Sequence, residues 1–389
     1  MITFILKFLG LAVYYLSFLF PRKRSIWAFG SGTGYDGHSK YLLQYIIDHQ
    51  PEIRGLWITQ RKDEVEPLRK KGIEAYYSYG LKGIFYSLRA GTYIVTGSLA
   101  DINFYTSGGA KQVQLWHGFG PKKCLWANIH SSMNKNGRFT GFVKRPAFYV
   151  EPDIVLGASE MIDRIYATTF RTDIDRCVDI LSPRCVHLRQ SKKEILEYIK
   201  KWEGQEVLDF IATMKKYKKV LLYMPTYREK NPHFLEQQKW DIDALNDTLK
   251  HKDALLIVKL HPHMKHDLDF NGLSNIVEMD KNLDLYPILP FTDTLITDYS
   301  SVYVDYILMD DKQIILYIPD KEDYKNNSRD LWEDFDETYH GITAMNFHEL
   351  LKAISSDERQ DYTAERALIW ADSIHRGTDE LVKAINNLR

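Results

Sequence analysis

Short apolar runs alternate with longer amphipathic stretches along most of this chain. Five runs in the first half have the length and composition of buried strands, at residues 25–29, 53–59, 93–96, 112–116 and 153–156. Between them, segments such as 41–47 and 63–71 place apolar residues at helical spacing. Short buried strands that alternate with helices are typical of a parallel sheet covered by helices on both faces.

The same alternation begins again after a charged segment that is poor in strand formers. Residues 190–218 have a helical pattern, and we interpret them as the connection between two halves. Five further strands are predicted at 219–224, 254–260, 276–278, 294–297 and 313–317, and the chain from Phe347 onward has a helical pattern. The sequence therefore predicts an α/β protein of two doubly wound, Rossmann-like domains, 25–200 and 201–389, that face a cleft.

The first 20 residues, MITFILKFLGLAVYYLSFLF, carry one charge, Lys7, and the basic cluster PRKR (21–24) follows directly. A helix of this length measures about 30 Å, which matches the hydrocarbon core of a bilayer. A cleaved signal peptide is disfavoured, because no small-residue cleavage site follows the apolar run. A spanning anchor, a helix that lies in the membrane interface and a buried first helix remain open. We interpret 1–24 as a membrane-associating helix with its basic cluster, and we expect the rest of the protein at the cytoplasmic face of the membrane.

The composition narrows the classes of function. With 389 residues, 44% of them hydrophobic, the chain is large enough for two domains with their own cores. The net charge of −1 gives no extended positive field, which disfavours nucleic acid as a partner. The three cysteines are an odd number and show no CxxC spacing, so they indicate neither a disulfide framework nor a zinc site. This favours a reducing compartment. No third ligand accompanies His261 and His263, and we predict neither a metal nor a cofactor.

Ligands of parallel α/β sheets bind at the carboxyl ends of the strands, and unusual side chains follow several predicted strands here. His117 ends the strand in VQLWHGFGPKK (113–123), beside Gly118 and the pair Lys122 and Lys123. Histidine titrates near neutral pH and therefore suits proton transfer beside a bound anion. The alternatives are a histidine that merely ends a strand and a solvated basic turn.

Two further strand ends carry His261 and Arg228. His261 follows the predicted strand 254–260, and Arg228 stands just past the predicted strand 219–224. A planar guanidinium binds a phosphate through two parallel hydrogen bonds, so Arg228 is a candidate ligand of a donor phosphate. A surface histidine, and an arginine paired with Asp or Glu, are the alternatives at these positions.

The segment TLITDYSS (294–301) has the pattern of a strand end followed by a helix start. The strand ends at Thr297, and a helix is predicted from about Ser300. Free N–H groups at the helix start, together with the hydroxyls of Ser300 and Ser301, form a candidate phosphate site. N-capping by Asp298 or Ser300 is the alternative. In combination with the other strand ends, this segment favours a donor that contains a diphosphate.

Several segments resemble the motifs of one known family, in the family's order. They are SGTGYDGHSKYLLQYI (31–46), LWHGFGPKK (115–123), LLYMPTYRE (221–229), IVKLHPH (257–263) and LITDYSSVYVDYILMDDKQIILY (295–317). The family is that of the CDP-glycerol glycerophosphotransferases, the teichoic-acid-type polyol-phosphate transferases of bacterial cell envelopes, and the resemblance covers roughly residues 25–375. The chain departs from the family pattern at His38, where asparagine is usual, in LSPRCV (181–186), which keeps only Pro-Arg of a longer motif, and at Ile342, where proline is usual.

The resemblance implies a fold similar to the GT-B glycosyltransferases. It also implies transfer of glycerol phosphate from CDP-glycerol to an acceptor hydroxyl, with release of CMP, and in relatives the donor is CDP-ribitol. The acceptor is lipid-linked, on a polyprenyl diphosphate or as a glycolipid, which agrees with the apolar N-terminus. The family's two important histidines correspond to His117 and His261.

On this basis each candidate residue receives a role in one reaction. We expect His117 to act as the general base, and His261 as a second catalytic residue that neutralises phosphate charge. The other expected residues are Arg228, Thr297, Ser300 and Ser301 at the donor diphosphate, Asp298 at the polyol or in orientation, and Gly118, Lys122 and Lys123 on the acceptor side.

Alternatives remain open within and beyond the family. We favour a priming or short-extension enzyme of teichoic-acid or capsule synthesis, because a short N-terminal segment precedes a single catalytic unit. A ribitol-phosphate transferase and a polyol-phosphate polymerase are the alternatives within the family. More remote alternatives are a nucleotide-sugar glycosyltransferase and a non-catalytic envelope-assembly protein.

Overall fold

A computed structural model describes the chain from residue 2 to residue 388, except residues 130, 136–137, 229–230, 232, 262–263, 265–267, 282, 323, 325–331 and 333–337. The described chain forms two compact units. Unit 1 comprises the residues up to His117, Cys124–Val186 and the residues from Leu368, whereas unit 2 comprises Gly118–Lys123 and His187–Ala367. The chain thus enters unit 2 after Val186, earlier than the predicted boundary at residue 200. Each unit also holds a segment that the predicted boundaries give to the other.

Unit 1 is built on a seven-stranded parallel sheet. Its strands are β1 (Lys23–Gly30), β2 (Arg54–Thr59), β3 (Ala75–Tyr77), β4 (Ala90–Val95), β5 (Lys111–Gln114), β6 (Ile154–Gly157) and β7 (Cys177–Asp179). They lie in the order β3-β2-β1-β4-β5-β6-β7, and every neighbouring pair is parallel. This doubly wound order reverses between β1 and β4, and ligands of such sheets bind at the carboxyl ends of the strands at this point.

Unit 2 repeats the same plan with six strands. They are β8 (Lys219–Tyr223), β9 (Ala254–Val258), β10 (Ile276–Glu278), β11 (Thr294–Thr297), β12 (Gln313–Tyr317) and β13 (Ile342–Ala344). Their order is β10-β9-β8-β11-β12-β13, again with parallel pairs throughout. The order reverses between β8 and β11, so the ends of these two strands define the ligand-binding position of unit 2.

The structure has a strand at each of the ten predicted positions. A central strand of a parallel sheet is covered on both faces, so its sequence is a continuous apolar run, as in KVLLY and ALLIV. In unit 2 these runs meet in one core, where Leu221, Leu256 and Ile296 are buried. The pattern missed β3, β7 and β13, which have three residues each and lie at sheet edges.

Helices fill the segments between the strands. They are α1 (Ile2–Ser17), α2 (Gly37–His49), α3 (Val65–Lys70), α4 (Leu81–Arg89), α5 (Ser132–Lys135), α6 (Arg138–Lys144), α7 (Glu160–Phe170), α8 (Lys192–Trp202), α9 (Gln205–Met214), α10 (Phe234–Gln237), α11 (Ile242–His251), α12 (Val302–Tyr306), α13 (Phe347–Ser355), α14 (Thr363–Trp370) and α15 (Thr378–Asn386). Capping side chains start several of them, and Ser191 and Glu194 form a capping box at α8. The predicted helical connection 190–218 corresponds to α8 and α9, which belong to unit 2.

The N-terminal helix differs from its prediction. α1 has 16 residues, and among the residues that the structure describes no helix is both long and apolar enough to cross a membrane. Leu11 and Tyr14 are buried in unit 1, where Tyr14 stacks on Phe104 with ring centroids 4.4 Å apart. Arg22 of the basic cluster donates to four backbone carbonyls elsewhere in unit 1 and thereby fixes the end of this segment. The predicted separate segment 1–24 is therefore packed, on one face, as an element of unit 1.

Candidate active site

In unit 1, strand β5 ends in a tight turn that presents His117. The side-chain amide of Gln114 holds this turn, because its Oε1 accepts from the N–H of Trp116 at 2.9 Å and its Nε2 donates to the carbonyl of Gly97 at 3.0 Å. Trp116 has φ of 55°, a left-handed conformation that costs about 1–3 kcal/mol. Gly118, on the other side, has φ of 120°. His117 therefore stands between two unusual backbone conformations, at the point where the chain leaves unit 1.

The imidazole of His117 is oriented for proton transfer. Its Nδ1 lies 3.3 Å from the carbonyl oxygen of Thr96, which follows β4 at the reversal point of the sheet. A carbonyl only accepts, so this contact places the proton on Nδ1 and leaves the lone pair on Nε2. Burial by the surrounding protein lowers the pKa of His117 to about 4, although by surface area the residue as a whole is exposed. His117 is therefore neutral, and able to accept a proton, at neutral pH.

His38 and Arg184 lie close to His117 in the same unit. His38, at the start of α2, is almost fully buried, and its Nδ1 has no hydrogen-bond partner within the described residues. Burial first, then the positive charge of Arg184, and then repulsion by the protonated form of His117, lower the pKa of His38 well below its usual value. The site thus favours two neutral histidines beside one fixed positive charge, an arrangement that suits an anionic group.

A buried carboxylate shapes the turn that carries Thr96. Asp101 accepts at Oδ2 from the backbone N–H groups of Thr96, at 3.1 Å, and of Gly97, at 2.7 Å. Burial raises the pKa of Asp101 to about 6, against the lowering effect of these N–H donors. Asp101 thereby fixes the carbonyl that orients His117.

In unit 2, residues beyond the ends of β8, β11 and β12 form a buried ion network. Arg228 donates from Nε and Nη2 to the two oxygens of Asp320, each at 3.0 Å, and from Nη1 to Asp298 and to the carbonyl of Thr226. Asp298 is 1% exposed and also accepts from the N–H of Thr226 at 2.8 Å. Burial alone would lower the pKa of Arg228, but the two carboxylates raise it above its usual value. Four of the five N–H donors of Arg228 are thus bound to protein acceptors.

The predicted donor residues around β11 occupy two different environments. Thr297 is buried, and its hydroxyl donates to the carbonyl of Met224 at 2.7 Å, which ties β11 to the end of β8. Ser300 and Ser301 are half-exposed at the start of α12, where the Ser300 hydroxyl accepts a backbone N–H. The two serines are therefore partly accessible to solvent, whereas Thr297 and Asp298 are buried and make bonds inside the unit.

His261 lies beyond the end of β9, next to the ion network. Its ring is exposed and stacks on Tyr227, with centroids 4.7 Å apart and planes at 16°. Because Tyr227 directly precedes Arg228, the stack holds His261 beside the end of β8. His263 lies outside the described residues. Within the described part of the chain, no three His, Cys, Asp or Glu side chains are grouped so that they could hold a metal ion.

The segment Gly118–Lys123 belongs to unit 2, although it follows His117 directly. The Nζ of Lys122 lies 5.6 Å from the centre of the Tyr324 ring. Gly120 approaches Ser301 so closely that an added Cβ would lie 3.4 Å from the serine Cβ. The predicted acceptor-side residues Gly118, Lys122 and Lys123 thus belong to the same unit as the predicted donor residues.

Four residues of the groups described above, three in unit 1 and one in unit 2, were not predicted: His38, Asp101, Arg184 and Asp320. Asp320 follows β12 closely, so the signal used at the other strand ends, a polar side chain beyond an apolar run, would have found it. His38 and Arg184 stand in two of the motif segments that depart from the family pattern. Asp101 gives no such signal, because its role depends on the geometry of one turn.

Comparisons with known proteins point to one family. Residues 12–380 match the model described as CDP-glycerol:poly(glycerophosphate) glycerophosphotransferase. A teichoic acid poly(glycerol phosphate) polymerase of Bacillus subtilis strain 168 is 22% identical over 348 residues, which cover 88% of this chain and 45% of the polymerase. A teichoic acid ribitol-phosphate primase of Bacillus spizizenii strain W23 is 33% identical over 147 residues, which cover 38% of this chain and 37% of the primase.

The fold is similar to that of the wall teichoic acid polymerase TagF. The two structures align with a TM-score of 0.74 and 20% identity, over 94% of this chain and 89% of the TagF chain. At this identity the likeness concerns the fold alone, and this chain has two parallel-sheet α/β units in a TagF-like fold of GT-B type. The chain spans less than half the length of the B. subtilis polymerase.

Proposed function

The chain belongs to the CDP-glycerol:poly(glycerophosphate) glycerophosphotransferase family, and from this we propose that it transfers glycerol phosphate from CDP-glycerol to a hydroxyl of a lipid-linked acceptor, with release of CMP. The product is a primed or briefly extended teichoic-acid or related capsule polymer. The observation that carries this proposal is the geometry of His117. Its Nδ1 is held by the carbonyl of Thr96, and its Nε2 keeps a lone pair for the acceptor hydroxyl.

His117 acts as the general base. Nε2 removes the proton of the acceptor hydroxyl while the hydroxyl oxygen attacks the phosphorus that carries the polyol. The bond between this phosphorus and the bridging oxygen breaks, and CMP leaves with the electron pair. A base that stays neutral to low pH is ready for this step throughout the physiological range.

Exposed and half-exposed groups of unit 2 neutralise the charge on the donor. Ser300 and Ser301 offer hydroxyls at the start of α12, and Lys122 brings a positive charge to the same unit. His261, exposed and held by its ring stack, takes the second catalytic role. Hydrogen-bond donors and cations that are fixed in advance stabilise the developing charge more than mobile ones.

The buried network positions these groups. Because four N–H donors of Arg228 are bound to protein acceptors, we assign it a positioning role instead of the predicted direct contact with the diphosphate. Asp298 likewise orients the turn after β8, since it accepts from the N–H of Thr226. Thr297 joins β8 and β11 through its hydroxyl and shares this role.

Transfer of ribitol phosphate from CDP-ribitol is a second candidate function. The ribitol-phosphate primase is 33% identical over 147 residues of this chain, so ribitol-phosphate enzymes stand among its relatives beside the glycerol-phosphate polymerase. The two candidate reactions share the base, the diphosphate and the leaving group, and they differ in the polyol on the attacked phosphorus. Parallel assays with both donors therefore separate them.

We also propose that α1 attaches the protein peripherally to the cytoplasmic face of the bacterial cell membrane. Apolar side chains of α1 and of the turn after it are exposed, namely Val13, Tyr15, Leu16, Phe18, Leu19 and Phe20. The exposed Lys23 and Arg24 follow them in the chain. An apolar patch next to positive charge suits the interface of an anionic membrane, where a lipid-linked acceptor resides.

The first experiment measures CMP release from CDP-glycerol and CDP-ribitol in parallel, with a polyprenyl-diphosphate-linked disaccharide as acceptor and mass analysis of the product. We expect release with one donor, and one or a few added units. His117→Asn lowers turnover by about 10²–10⁴-fold, the usual contribution of a general base. His49→Asn, at the exposed end of α2 in the same unit, is the matched control. Near-normal turnover of His117→Asn rejects the role of His117 as the general base. If the wild type neither releases CMP nor binds a donor, the proposed transferase activity is rejected.

A second experiment tests the membrane contact by co-sedimentation with vesicles that contain anionic lipid. Leu16→Glu combined with Leu19→Glu places charge in the exposed patch, and we expect this variant to remain in the supernatant. Leu81→Glu changes another exposed leucine of unit 1 and serves as the control. Equal sedimentation of both variants contradicts the proposed contact.

A further inference from the structure

The indole of Trp116 lies against the imidazole of His117. The two ring centroids are 3.8 Å apart and the ring planes differ by 36°. A separation this short places the imidazole over the face of the indole and not at its edge. Trp116 is 7% exposed, so this ring is almost wholly enclosed by unit 1. The reaction as described so far gives the indole no role.

Neighbouring groups hold both rings of this stack in place. Phe170, at the end of α7, meets Trp116 edge to face with ring centroids 5.0 Å apart. The backbone N–H of Trp116 donates to Oε1 of Gln114. The imidazole is oriented separately, because its Nδ1 lies 3.3 Å from the carbonyl oxygen of Thr96. The contact between the two rings therefore does not depend on a mobile side chain.

The charges around His117 make its protonated form costly. Burial lowers the pKa of His117, and the positive charge of Arg184 lowers it further. His38 is neutral, and the carboxylate of Asp101 lies behind the turn, where it accepts the N–H of Thr96. Among the described residues no carboxylate is hydrogen-bonded to the imidazole, unlike the base of a Ser-His-Asp triad. The imidazolium that forms during the reaction therefore gains most from a neutral group that attracts a cation.

An indole face is such a group. The face of an aromatic ring carries partial negative charge, most strongly in tryptophan, and it attracts a cation within about 6 Å of the ring centre. The imidazole of His117 satisfies this distance as soon as it is protonated. The neutral imidazole gains much less from the same field. Because the attraction is stronger in the transition state than in the ground state, it raises kcat.

We propose that Trp116 is a positioning residue whose indole face stabilises the positive charge that His117 acquires during the transfer. This role rests on the transferase reaction proposed above. In that reaction the O–H bond of the acceptor breaks and its proton forms an N–H bond at Nε2 of His117. The imidazolium gives the proton to solvent after CMP has left. Trp116 acts through His117 and needs no contact with donor or acceptor.

Trp116→Leu tests the assignment, because leucine keeps an apolar side chain and removes the aromatic face. In the CMP-release assay kcat falls about 3–30-fold, the size of a cation–π contact, while the KM values for donor and acceptor stay unchanged. Trp116→Phe retains an aromatic face and recovers part of the loss. Trp27→Leu removes a buried indole from β1 of the same unit and keeps the kcat of the wild type.

Fluorinated tryptophans at position 116 separate the charge of the ring from its shape. Each fluorine withdraws electron density from the face and weakens its attraction for a cation, while the size of the indole changes little. Site-specific incorporation of tryptophans with one, two and three fluorines therefore lowers kcat stepwise without a matching fall in Tm. A kcat that does not follow the number of fluorines contradicts the proposed attraction.

Two further measurements show through which group Trp116 acts. In the background of His117→Asn, Trp116→Leu has no further effect on kcat, because no imidazolium forms. Loss of the aromatic face disfavours the protonated imidazole, so the decline of kcat/KM on the acid side moves to lower pH, by up to about 1.5 pH units. A move to higher pH would show that Trp116 acts by excluding water, and a further loss in the His117→Asn background would show a general structural role. Either result overturns the proposal.

The remaining outcomes separate this inference from the proposed reaction. If kcat of Trp116→Leu lies within about 2-fold of the wild type while His117→Asn is impaired, the role of Trp116 is rejected and the transferase stands. If Trp27→Leu loses as much kcat at an equal loss of Tm, the effect is one of stability, and the role is rejected as well. If His117→Asn turns over at a near-normal rate, the base itself is rejected and the inference falls with it.

Discussion

Removal of the arginine from the buried ion network of unit 2 is expected to unfold that unit more readily. Arg228→Met keeps most of the bulk of the side chain and removes its charge. Asp298, 1% exposed, and Asp320 then lose their shared cation, while Asp298 keeps one hydrogen bond, from the N–H of Thr226. An uncompensated buried carboxylate remains.

The size of the effect follows from this burial. Breaking a buried ion pair by removal of one partner costs about 3–5 kcal/mol. In a unit of this size 1 kcal/mol corresponds to about 2–4 °C, so the Tm falls by about 6–20 °C. The double variant Arg228→Met/Asp298→Asn carries less uncompensated charge and recovers about 1–3 kcal/mol of the loss.

The assay is unfolding by heat and by urea, with CMP release measured on the same samples. Arg54→Met is the matched control, because Arg54 forms an ion pair with Glu74 in which both side chains are at least one-third exposed. Exposed pairs contribute about 0–1 kcal/mol, so this control shifts the Tm by less than about 4 °C.

Three results would each refute a part of this reasoning about Arg228. A Tm of Arg228→Met within 2 °C of the Arg54→Met control, roughly the shift of 1 kcal/mol, would show that the network contributes no net stability. Loss of activity without loss of stability would return Arg228 to direct contact with the donor phosphate. Strict additivity of Arg228→Met and Asp298→Asn would show that the two side chains do not interact.

Single side chains give three further tests. Burial lowers the pKa of His117 to about 4, so the imidazole stays neutral below pH 6.5. We therefore expect kcat/KM to decline on the acid side only near pH 4, whereas a decline near pH 6.5 would contradict the lowered pKa of the base. Burial, with the hydrogen bond and the charge of Asp179, raises the pKa of Asp163 to about 8, so the folded state retains a proton and stability falls as pH rises from about 4 to about 8. Asp163→Asn cannot ionise, and a melting series should show a higher Tm above about pH 8 and an unchanged Tm near pH 4. Arg22→Met removes hydrogen bonds that hold the end of α1, so chymotrypsin should release the N-terminal residues several-fold faster than in the exposed control Arg164→Met.

The hydrophobic pattern predicted the central strands because burial on both faces leaves them no polar positions. The runs in β1, β8 and β9 are of this kind, and each has a strand within a few residues of its predicted position. β3, β7 and β13 read AYY, CVD and ITA, which are too short for any periodicity. Their strand conformation depends on the neighbour that each one pairs with.

The partners within the site required the structure. The sequence places Arg228, Asp298 and Asp320 beyond three strand ends, 70 and 92 positions apart from the arginine. Only the strand order β8-β11-β12 makes these ends neighbours. Lys122 likewise gives no sign in the sequence that it belongs to unit 2, because the residue five positions before it belongs to unit 1.

Unit 1 is discontinuous in the chain, and its last helix is synthesised after unit 2. In α15 the side chains of Leu381, Val382 and Ile385 are buried, and nearby the N–H of Leu181 donates to the carbonyl of Arg376 at 3.1 Å. On the ribosome all of unit 2 is made before this helix appears, so unit 1 lacks these buried side chains until the synthesis of unit 2 is complete. A fragment that ends at residue 186 therefore lacks a part of unit 1. For separate expression of the two units, α15 would have to be joined to this fragment through a short artificial linker.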